Sequence, residues 1–320
     1  MPERTCLVTG CAGFVGSHLA ERLLALGHVV VGVDNFFSGR RRNMASFAGN
    51  PDFHFHECSI TEPDLLPRLR DEHPNLSQVY HLAAIVSVPY SMEHEQETMT
   101  VNWEATRTLH DQARELDFGK FVFAGSAAEY GDATALPLKE EHATDETRQL
   151  SPYGRAKFLS SRHIAEGGFG ASLRCFNIFG PRQDPSSPYS GVVSIFMNRS
   201  IAHQPILIYG DGTQTRDFVY VSDVVNAYLL AAGITGEGQL SGIYNVARGE
   251  ETSIVGIAMQ ARAIAGSTAP IDFTLPRPGD IHRSLADISR LRAHGYAPQV
   301  EINHGLRQTM AELQREAEEK

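Results

Sequence analysis

A tyrosine and a lysine stand four positions apart, at Tyr153 and Lys157. On a helix this spacing places both side chains on one face. A phenol titrates near pH ~10, too high for a base at neutral pH, but a neighbouring ammonium favours the ionised form. The pair is therefore a candidate for proton transfer. A Tyr–Lys pair without chemistry on a helix surface is the alternative, because this spacing also arises by chance.

Ser126 is the candidate that completes this constellation. It follows the run 121–124, whose aromatic and β-branched residues are typical of a strand. Ligands of open α/β sheets bind at the carboxyl ends of the strands, so the hydroxyl could bond a reacting oxygen there. Capping of a local turn is the alternative role. The sequence thus predicts Ser126, Tyr153 and Lys157 as catalytic residues.

A glycine-rich turn at residues 10–16 separates the first predicted strand from the first predicted helix. Such a turn presents backbone N–H groups to a pyrophosphate at the helix N-terminus. Gly10 permits the tight turn, Gly13 lets the phosphates approach the backbone, and Gly16 lets the helix pack closely. A glycine-rich turn that binds no ligand is the alternative.

Asp34 strengthens the dinucleotide interpretation, because it ends the second predicted strand 18 residues after Gly16. A carboxylate there accepts hydrogen bonds from the adenosine ribose and repels a 2′-phosphate, which favours NAD over NADP. The arginines at 40–42 argue the other way, since an arginine near that ribose can pair with the phosphate. We give Asp34 more weight, because its place at a strand end is fixed whereas the arginines belong to a predicted loop.

These residues need a scaffold, and the first half of the chain predicts one by alternating β-branched runs with amphipathic stretches. We expect an α/β fold, a Rossmann-type doubly wound parallel sheet with a smaller interwoven C-terminal substrate domain. The predicted strands are Thr5–Thr9, 29–33, Phe53–Glu57, 78–82 and 121–124, and the predicted helices are 14–26, 95–116 and one beginning at Pro152.

The predicted boundaries assign residues 1–178 to the NAD-binding domain, with 216–246 returning to it. Residues 179–215 and 247–320 form the smaller domain in this prediction. Loop-forming stretches alternate with short elements beyond Gly180, which favours a domain woven into the first one.

Composition excludes several classes of function. The chain of 320 residues is 42% hydrophobic and 21% charged, as in ordinary globular proteins. No apolar run reaches the roughly 18–20 residues of a membrane span and no signal-peptide pattern is present, so we expect no membrane partner and a cytoplasmic location. The net charge of −10 disfavours nucleic acid. Four scattered cysteines predict reduced, buried thiols and no metal site.

The motifs together resemble the extended short-chain dehydrogenase/reductase family, and within it the UDP-glucose and UDP-N-acetylglucosamine 4-epimerases. The resemblance extends over nearly the whole chain. The matching segments are 7–16, 34–39, 81–84, 126–131, Tyr153 with Lys157, 176–183, 210–212, 216–218 and 277–280.

The resemblance implies a set of ligand contacts. The cofactor-binding residues would be Gly10, Gly13, Phe14, Val15, Gly16, Asp34, Asn35, Ser38, Gly39, Ser59, Ile60, Leu82, Ala83, Ala84, Asn102, Ala124, Tyr153 and Lys157. The UDP-sugar would contact Ser87, Ser126, Asn177, Gln183, Val192, Leu207, Arg216, Arg277, Asp280 and Ser284. Two arginines suit a diphosphate and a carboxylate suits ribose hydroxyls.

The chain departs from the family pattern at two places. Cys58-Ser59 replaces a Gly-Asp pair, so a carboxylate contact to adenine is lost. Gly125 stands where a second serine is common, which leaves the hydroxyl of Ser126 to act alone.

The motif containing Ala127 and Ala128 indicates the reaction. The family's 4,6-dehydratases carry an Asp-Glu pair at these two positions, and methyl groups cannot exchange protons. The favoured activity is NAD-dependent epimerisation at C4 of a UDP-hexose, through a 4-keto sugar with Tyr153 as the base. Another nucleotide-sugar reaction, such as uronic-acid epimerisation or a reduction, stays open, as does an NAD-binding regulator without catalysis.

Two further expectations come from the resemblance. The small Ser284 would lie beside the sugar's C2 substituent and so admit N-acetylated sugars as well as plain hexoses. A local turn cap is its alternative role. The helices at 95–116 and 152–166 would pair with their copies to form a homodimer through a four-helix interface.

Overall fold

The computed structural model describes residues 4–184, 191–276 and 281–318. Arg277 and Asp280, two of the predicted substrate contacts, therefore lie outside the described residues. Within the described part the strands are β1 (Thr5–Thr9), β2 (Val29–Asp34), β3 (Phe53–Glu57), β4 (Leu76–His81), β5 (Lys120–Ser126), β6 (Gly170–Cys175), β7 (Asn177–Phe179), β8 (Ile206–Tyr209), β9 (Thr215–Tyr220), β10 (Gly242–Val246), β11 (Glu251–Ser253) and β12 (Ile271–Thr274).

The helices surround these strands. They are α1 (Phe14–Ala25), α2 (Leu65–Glu72), α3 (Val88–Glu93), α4 (Glu95–Met99), α5 (Ala105–Glu115), α6 (Pro152–Glu166), α7 (Val192–Ile201), α8 (Val221–Ala231), α9 (Ile254–Ile264), α10 (Ser289–Arg292) and α11 (Ile302–Glu318). No helix of the described residues is both long enough and apolar enough to cross a membrane.

A seven-stranded parallel sheet forms the centre of the fold, in the order β10-β6-β5-β4-β1-β2-β3. This order reverses direction at β1, as in doubly wound sheets, and it confirms the predicted α/β class. Strand β10 brings the chain back to the large sheet after two smaller sheets have begun, β11-β9-β7 and β12-β8.

Apolar clusters cover the sheets. Leu19 and Leu23 of α1 are buried in one cluster with Val224 of α8. Leu66 of α2 and Leu109 of α5 belong to a second cluster against the same large sheet. A third cluster joins α7, α9 and α11 to the smaller sheets. Full burial on both faces explains the continuous apolar runs of the central strands.

Several element bounds differ from the prediction. Helix α1 ends at Ala25, one residue early, and β4 covers Leu76–His81 instead of 78–82. Strand β5 continues to Ser126, because Gly125 and Ser126 pair with β6, which the local pattern of 121–124 did not indicate. The predicted helix at 95–116 is interrupted by a π-helical turn at Thr100–Glu104.

The glycine turn after β1 has the tight geometry that the sequence implied. Gly10 has φ of +73°, where a side chain is strained. A Cβ on Gly16 would lie 2.0 Å from the carbonyl oxygen of Gly10, so helix α1 can approach the turn only without one. These two positions give physical reasons for glycine in the motif.

We predict that Gly16→Ala lowers the free energy of unfolding by about 1–3 kcal/mol, because the backbone must move to accept the methyl group. Urea denaturation measures this change. Gly49→Ala is the matched control, since its Cβ would meet nothing within 4 Å, and it should change stability by less than about 0.5 kcal/mol. Equal stability of the two variants would contradict the prediction.

Candidate active site

A cleft of about 1180 Å³ opens at the carboxyl ends of the central strands. The predicted cofactor residues that line it are Gly13, Phe14, Val15, Gly16, Asp34, Asn35, Ser38, Gly39, Ser59, Ile60, Leu82, Ala83, Ala84, Ala124, Tyr153 and Lys157. Gly10 lies behind this lining and shapes the turn, where a Cβ would lie 2.9 Å from the backbone nitrogen of Ala83. The cleft joins the glycine turn to the candidate catalytic residues, as an extended dinucleotide requires.

Asp34 is held in place by the backbone around it. Its Oδ2 accepts a hydrogen bond from the N–H of Ala12 at 3.0 Å, and its Oδ1 accepts one from Phe36 at 2.8 Å. Burial raises the pKa of this carboxyl, and the two hydrogen bonds oppose that shift. A Cβ on Gly39 would lie 2.7 Å from Oδ1, so glycine there keeps the carboxylate accessible from the cleft.

The three arginines after β2 already face carboxylates. Arg40 pairs with Asp184. Arg41 lies 2.5 Å from an oxygen of Glu57, and Arg42 lies 3.3 Å from Glu316. Because each of these arginines already faces a carboxylate of the protein, they are less suited to bind a 2′-phosphate than the sequence suggested.

The start of helix α6 positions the candidate base. Ser151 caps the helix by accepting a hydrogen bond from the N–H of Gly154 at 3.1 Å, and Pro152 occupies the first turn. Tyr153 follows and lines the cleft together with Ser126 at the end of β5. The structure therefore brings Ser126 and Tyr153 together although 27 residues separate them in the sequence.

Lys157 lies one helical turn further along α6. Its Nζ donates a hydrogen bond to the carbonyl oxygen of Ala124 at 2.7 Å and lies 4.5 Å from the ring centroid of Phe123. The same atom is 5.9 Å from the ring centroid of Tyr153. The ammonium is thus near the phenol and is anchored to β5.

The protonation of this pair differs from the sequence argument. Burial raises the pKa of Tyr153 to about 12, although its hydrogen bond with Ser126 acts in the opposite direction. Burial also lowers the pKa of Lys157 to about 8. Desolvation therefore outweighs the neighbouring ammonium in the protein without cofactor.

Glu129 and Arg174 form an ion pair beneath Ser126 that sequence reasoning missed. Their side chains are 0% and 1% exposed, and Arg174 Nε donates to Glu129 Oε2 at 2.6 Å. Glu129 Oε1 accepts hydrogen bonds from the N–H of Ser126 and the hydroxyl of Ser161, both at 2.8 Å. The pair therefore fixes the backbone that carries the candidate catalytic serine. A charged residue after two alanines was its only sequence signal.

Gly125 is explained by the same pair. A Cβ at this position would lie 2.8 Å from Glu129 Oε1 and 2.6 Å from the hydroxyl oxygen of Ser172. A second serine at position 125 would collide with both groups. Glycine in place of the family's second serine therefore leaves room for the buried carboxylate of Glu129.

Asn102 is not a lining residue of the cleft, contrary to the expectation. Its side chain is 1% exposed and both ends of its amide bond the backbone of Ile85, each at 2.8 Å. It sits in the π-helical turn and holds the segment after β4. Its role is to support the cleft wall, because its polar atoms are already used.

The predicted substrate residues separate into two groups. Ser87 and Gln183 line the cleft together with Ser126. The others of the described part lie elsewhere: Asn177, Val192, Leu207, Arg216 and Ser284.

Arg216 and Ser284 show how these outlying residues are placed. Arg216 Nη1 donates to the carbonyl oxygen of Ile281 at 2.6 Å, and so reaches the segment that follows residues 277–280. Ser284 is 7% exposed. A smaller cavity of about 520 Å³ lies nearby, lined by Gly210, Asp211, Gln214, Thr274, Leu275, Pro276 and His282.

Comparison with known proteins identifies the family. The profile of the NAD dependent epimerase/dehydratase family matches residues 6–247. The chain belongs to this family. It is thus an enzyme of an NAD-dependent class, which confirms the expected cofactor.

Individual relatives match over nearly their full length. The UDP-glucose 4-epimerase of Mycolicibacterium smegmatis is 37% identical over 311 residues, 95% of this chain and 96% of that protein. The UDP-glucose 4-epimerase of Thermus thermophilus, solved with NAD, is 34% identical with a TM-score of 0.85, covering 97% and 99% of the two chains. The UDP-N-acetylglucosamine 4-epimerase of Methanobrevibacter ruminantium, solved with UDP-N-acetylmuramic acid, is 30% identical with a TM-score of 0.91, covering 99% and 100%.

We predict that Glu129→Gln lowers the free energy of unfolding by about 3–5 kcal/mol, because it leaves the buried charge of Arg174 without its partner. Urea denaturation followed by circular dichroism measures this loss. The double variant Glu129→Gln, Arg174→Met removes both charges and should recover most of the stability.

The matched control is Glu141→Gln. This exposed residue lies 3.3 Å from Arg290, and exposed ion pairs contribute less than about 1 kcal/mol. If Glu129→Gln is as stable as this control, the buried pair does not have the importance that we assign to it.

Proposed function

We propose that the protein is an NAD-dependent UDP-hexose 4-epimerase that interconverts UDP-glucose and UDP-galactose, and also UDP-N-acetylglucosamine and UDP-N-acetylgalactosamine. The observation that carries the proposal is that Ser126, Tyr153 and Lys157 lie together in a cleft that extends to the glycine turn. A serine hydroxyl and a phenol placed close together can bind the oxygen of a sugar hydroxyl and transfer its proton while that carbon is oxidised or reduced.

The carboxylates of the cleft support epimerisation over dehydration. Among the described residues that line it, the carboxylates are Asp34, Glu97 and Asp184. Glu97 accepts a hydrogen bond from the hydroxyl of Tyr90 at 2.7 Å, and Asp184 pairs with Arg40. The carboxylates of the cleft are therefore engaged, and a dehydration would need an acid and a base beside Ser126.

The residues present fit a dinucleotide. The N–H groups of the glycine turn would hold the pyrophosphate at the N-terminus of α1, where Gly13 and Gly16 leave the backbone uncovered. Asp34 would accept the ribose hydroxyls. Bound NAD supplies a hydride acceptor and donor, and its positively charged ring favours an ionised phenol nearby.

Proton transfer is the task of Tyr153. In this proposal it takes the proton of the C4 hydroxyl as that carbon is oxidised, and it returns the proton after the 4-keto sugar has turned over. Ser126 bonds the same oxygen and holds it toward the phenol. Lys157, whose Nζ lies 5.9 Å from the ring centroid of Tyr153, adds a positive charge that would oppose the effect of burial on the phenolate.

A second activity on the same residues is the alternative. A UDP-uronic acid epimerase would use the same base, and a nucleotide-sugar reductase would consume reduced cofactor. The size and charge of the substrate pocket decide among them, and two of the predicted contacts, Arg277 and Asp280, lie outside the described residues.

We predict that the purified protein inverts C4 of both UDP-glucose and UDP-N-acetylglucosamine, followed by NMR, with no net consumption of NAD. Inversion of UDP-glucuronic acid alone, or net oxidation of NADH, would favour the alternatives.

Ser284→Tyr should lower activity on the acetylated pair by tenfold or more, since overpacking costs about 1–3 kcal/mol, and should spare the plain pair. Ser284→Ala is the control, because alanine keeps a small side chain at this position. An equal loss of activity on the acetylated and the plain substrate pairs would contradict the proposed role of Ser284.

We predict that Tyr153→Phe lowers kcat by about 10²–10⁴-fold while NAD still binds, because only the proton-accepting oxygen is lost. The pKa of this phenol is raised, so more of the base form exists at higher pH, and wild-type kcat should increase from pH 6 to about pH 8, the range in which Lys157 keeps its charge. Tyr90→Phe is the matched control, since that phenol also lines the cleft. Near-wild-type turnover in Tyr153→Phe would exclude it as the base.

A further inference from the structure

Three histidines and a glutamate gather at the outer edge of the large sheet, outside the lining of the cleft. His54 and His56 lie on β3, the edge strand. Glu72 ends helix α2, and His73 follows it directly. The Nε2 atoms of His56 and His73 are 3.1 Å apart, and Glu72 Oε2 lies 3.7 Å from His56 Nδ1.

We propose that His56, Glu72 and His73 form a binding site for a divalent transition-metal ion, with Zn²⁺ as the best match. One ligand atom from each of the three residues lies within 4.8 Å of the others. Two imidazole nitrogens at Zn–N distances of about 2.0–2.1 Å in a tetrahedral site are separated by roughly 3.3–3.4 Å. The observed 3.1 Å needs a shift of a few tenths of an ångström.

Both supporting elements are fixed before an ion arrives. Leu65, Leu66 and Leu69 of α2 are fully buried, and β3 pairs with β2 along its length. The ligands therefore come from two rigid elements, which lowers the entropy cost of assembling the site. Glu72 and His73 also lie at the C-terminal end of α2, where the helix dipole favours a cation.

The surrounding charges leave the site negative. Arg68 Nη1 lies 3.6 Å from Glu72 Oε1, and Arg68 Nη2 binds Glu62 at 2.7 Å. Two carboxylates thus face one guanidinium, and a net negative charge remains. The side chains of His56 and Glu72 are 20% and 45% exposed, so an ion can reach them from solvent.

A second group with metal-ligand chemistry provides the competing site. His110, Asp111 and His163 lie on α5 and α6, with His163 Nε2 2.8 Å from Asp111 Oδ1. His110 is fully buried and stacked on Phe169, with 4.8 Å between ring centroids. An ion reaches this group less easily, and we therefore assign the site to β3 and α2.

Titration calorimetry of the full-length protein, stripped of metal and without NAD, tests the proposal with ZnCl₂ as the probe. We expect one zinc ion per chain, and we expect His56→Ala and His73→Ala each to weaken binding by roughly tenfold or more. His54→Ala, on the same strand but outside the three ligands, and His163→Ala, in the competing group, should keep wild-type affinity. Zinc should also raise the thermal midpoint of the wild-type protein and not that of His73→Ala.

Absence of zinc binding at micromolar concentration would overturn the proposal. So would a loss of binding in His163→Ala with full binding in His56→Ala, which would place the ion between α5 and α6. Circular dichroism of each variant shows whether it is folded, and Glu72→Gln, which keeps the shape of the side chain and removes its charge, serves if a histidine variant is not. These outcomes do not depend on the proposed epimerase activity.

Discussion

The buried ion pair of Glu129 and Arg174 is the interaction on which the geometry of the site depends. Removing two charges from water is costly, and the cost is offset here because Glu129 also accepts hydrogen bonds from Ser126 and Ser161. Arg174 Nη1 donates in turn to the carbonyl oxygen of Glu140 at 2.8 Å. Glu129 thereby connects strand β5, strand β6 and helix α6 at the backbone of Ser126.

Burial also shifts the pKa values of the two titratable catalytic candidates, Tyr153 and Lys157. The phenol of Tyr153 has its pKa raised to about 12 and the ammonium of Lys157 has its pKa lowered to about 8, both chiefly by desolvation. Desolvation therefore disfavours the charged form of each group. In the proposed reaction the positively charged cofactor ring would favour the phenolate of Tyr153, so binding of the cofactor and readiness of the base are coupled.

The large sheet brings side chains together at two places, the carboxyl ends of its strands and its outer edge. At the carboxyl ends of the strands, loops converge and form a cleft that joins Asp34 to Ser126 across four strands. At the outer edge, β3 meets the end of α2 and brings His56 to His73. The first arrangement is what parallel sheets generally provide for ligands, and the second depends on side chains particular to this chain.

Local pattern determined much of this protein: the α/β class, the glycine turn, Asp34 and the helix that carries Tyr153 all follow from periodicity and spacing. The tertiary structure decided what pattern cannot express. It desolvated Tyr153, which raises the pKa of the phenol, and it engaged the amide of Asn102 with the backbone of Ile85. It also paired Glu129 with Arg174, 45 residues away. Desolvation and long-range partners depend on neighbours distant in sequence, which is why the chain's local signals did not contain them.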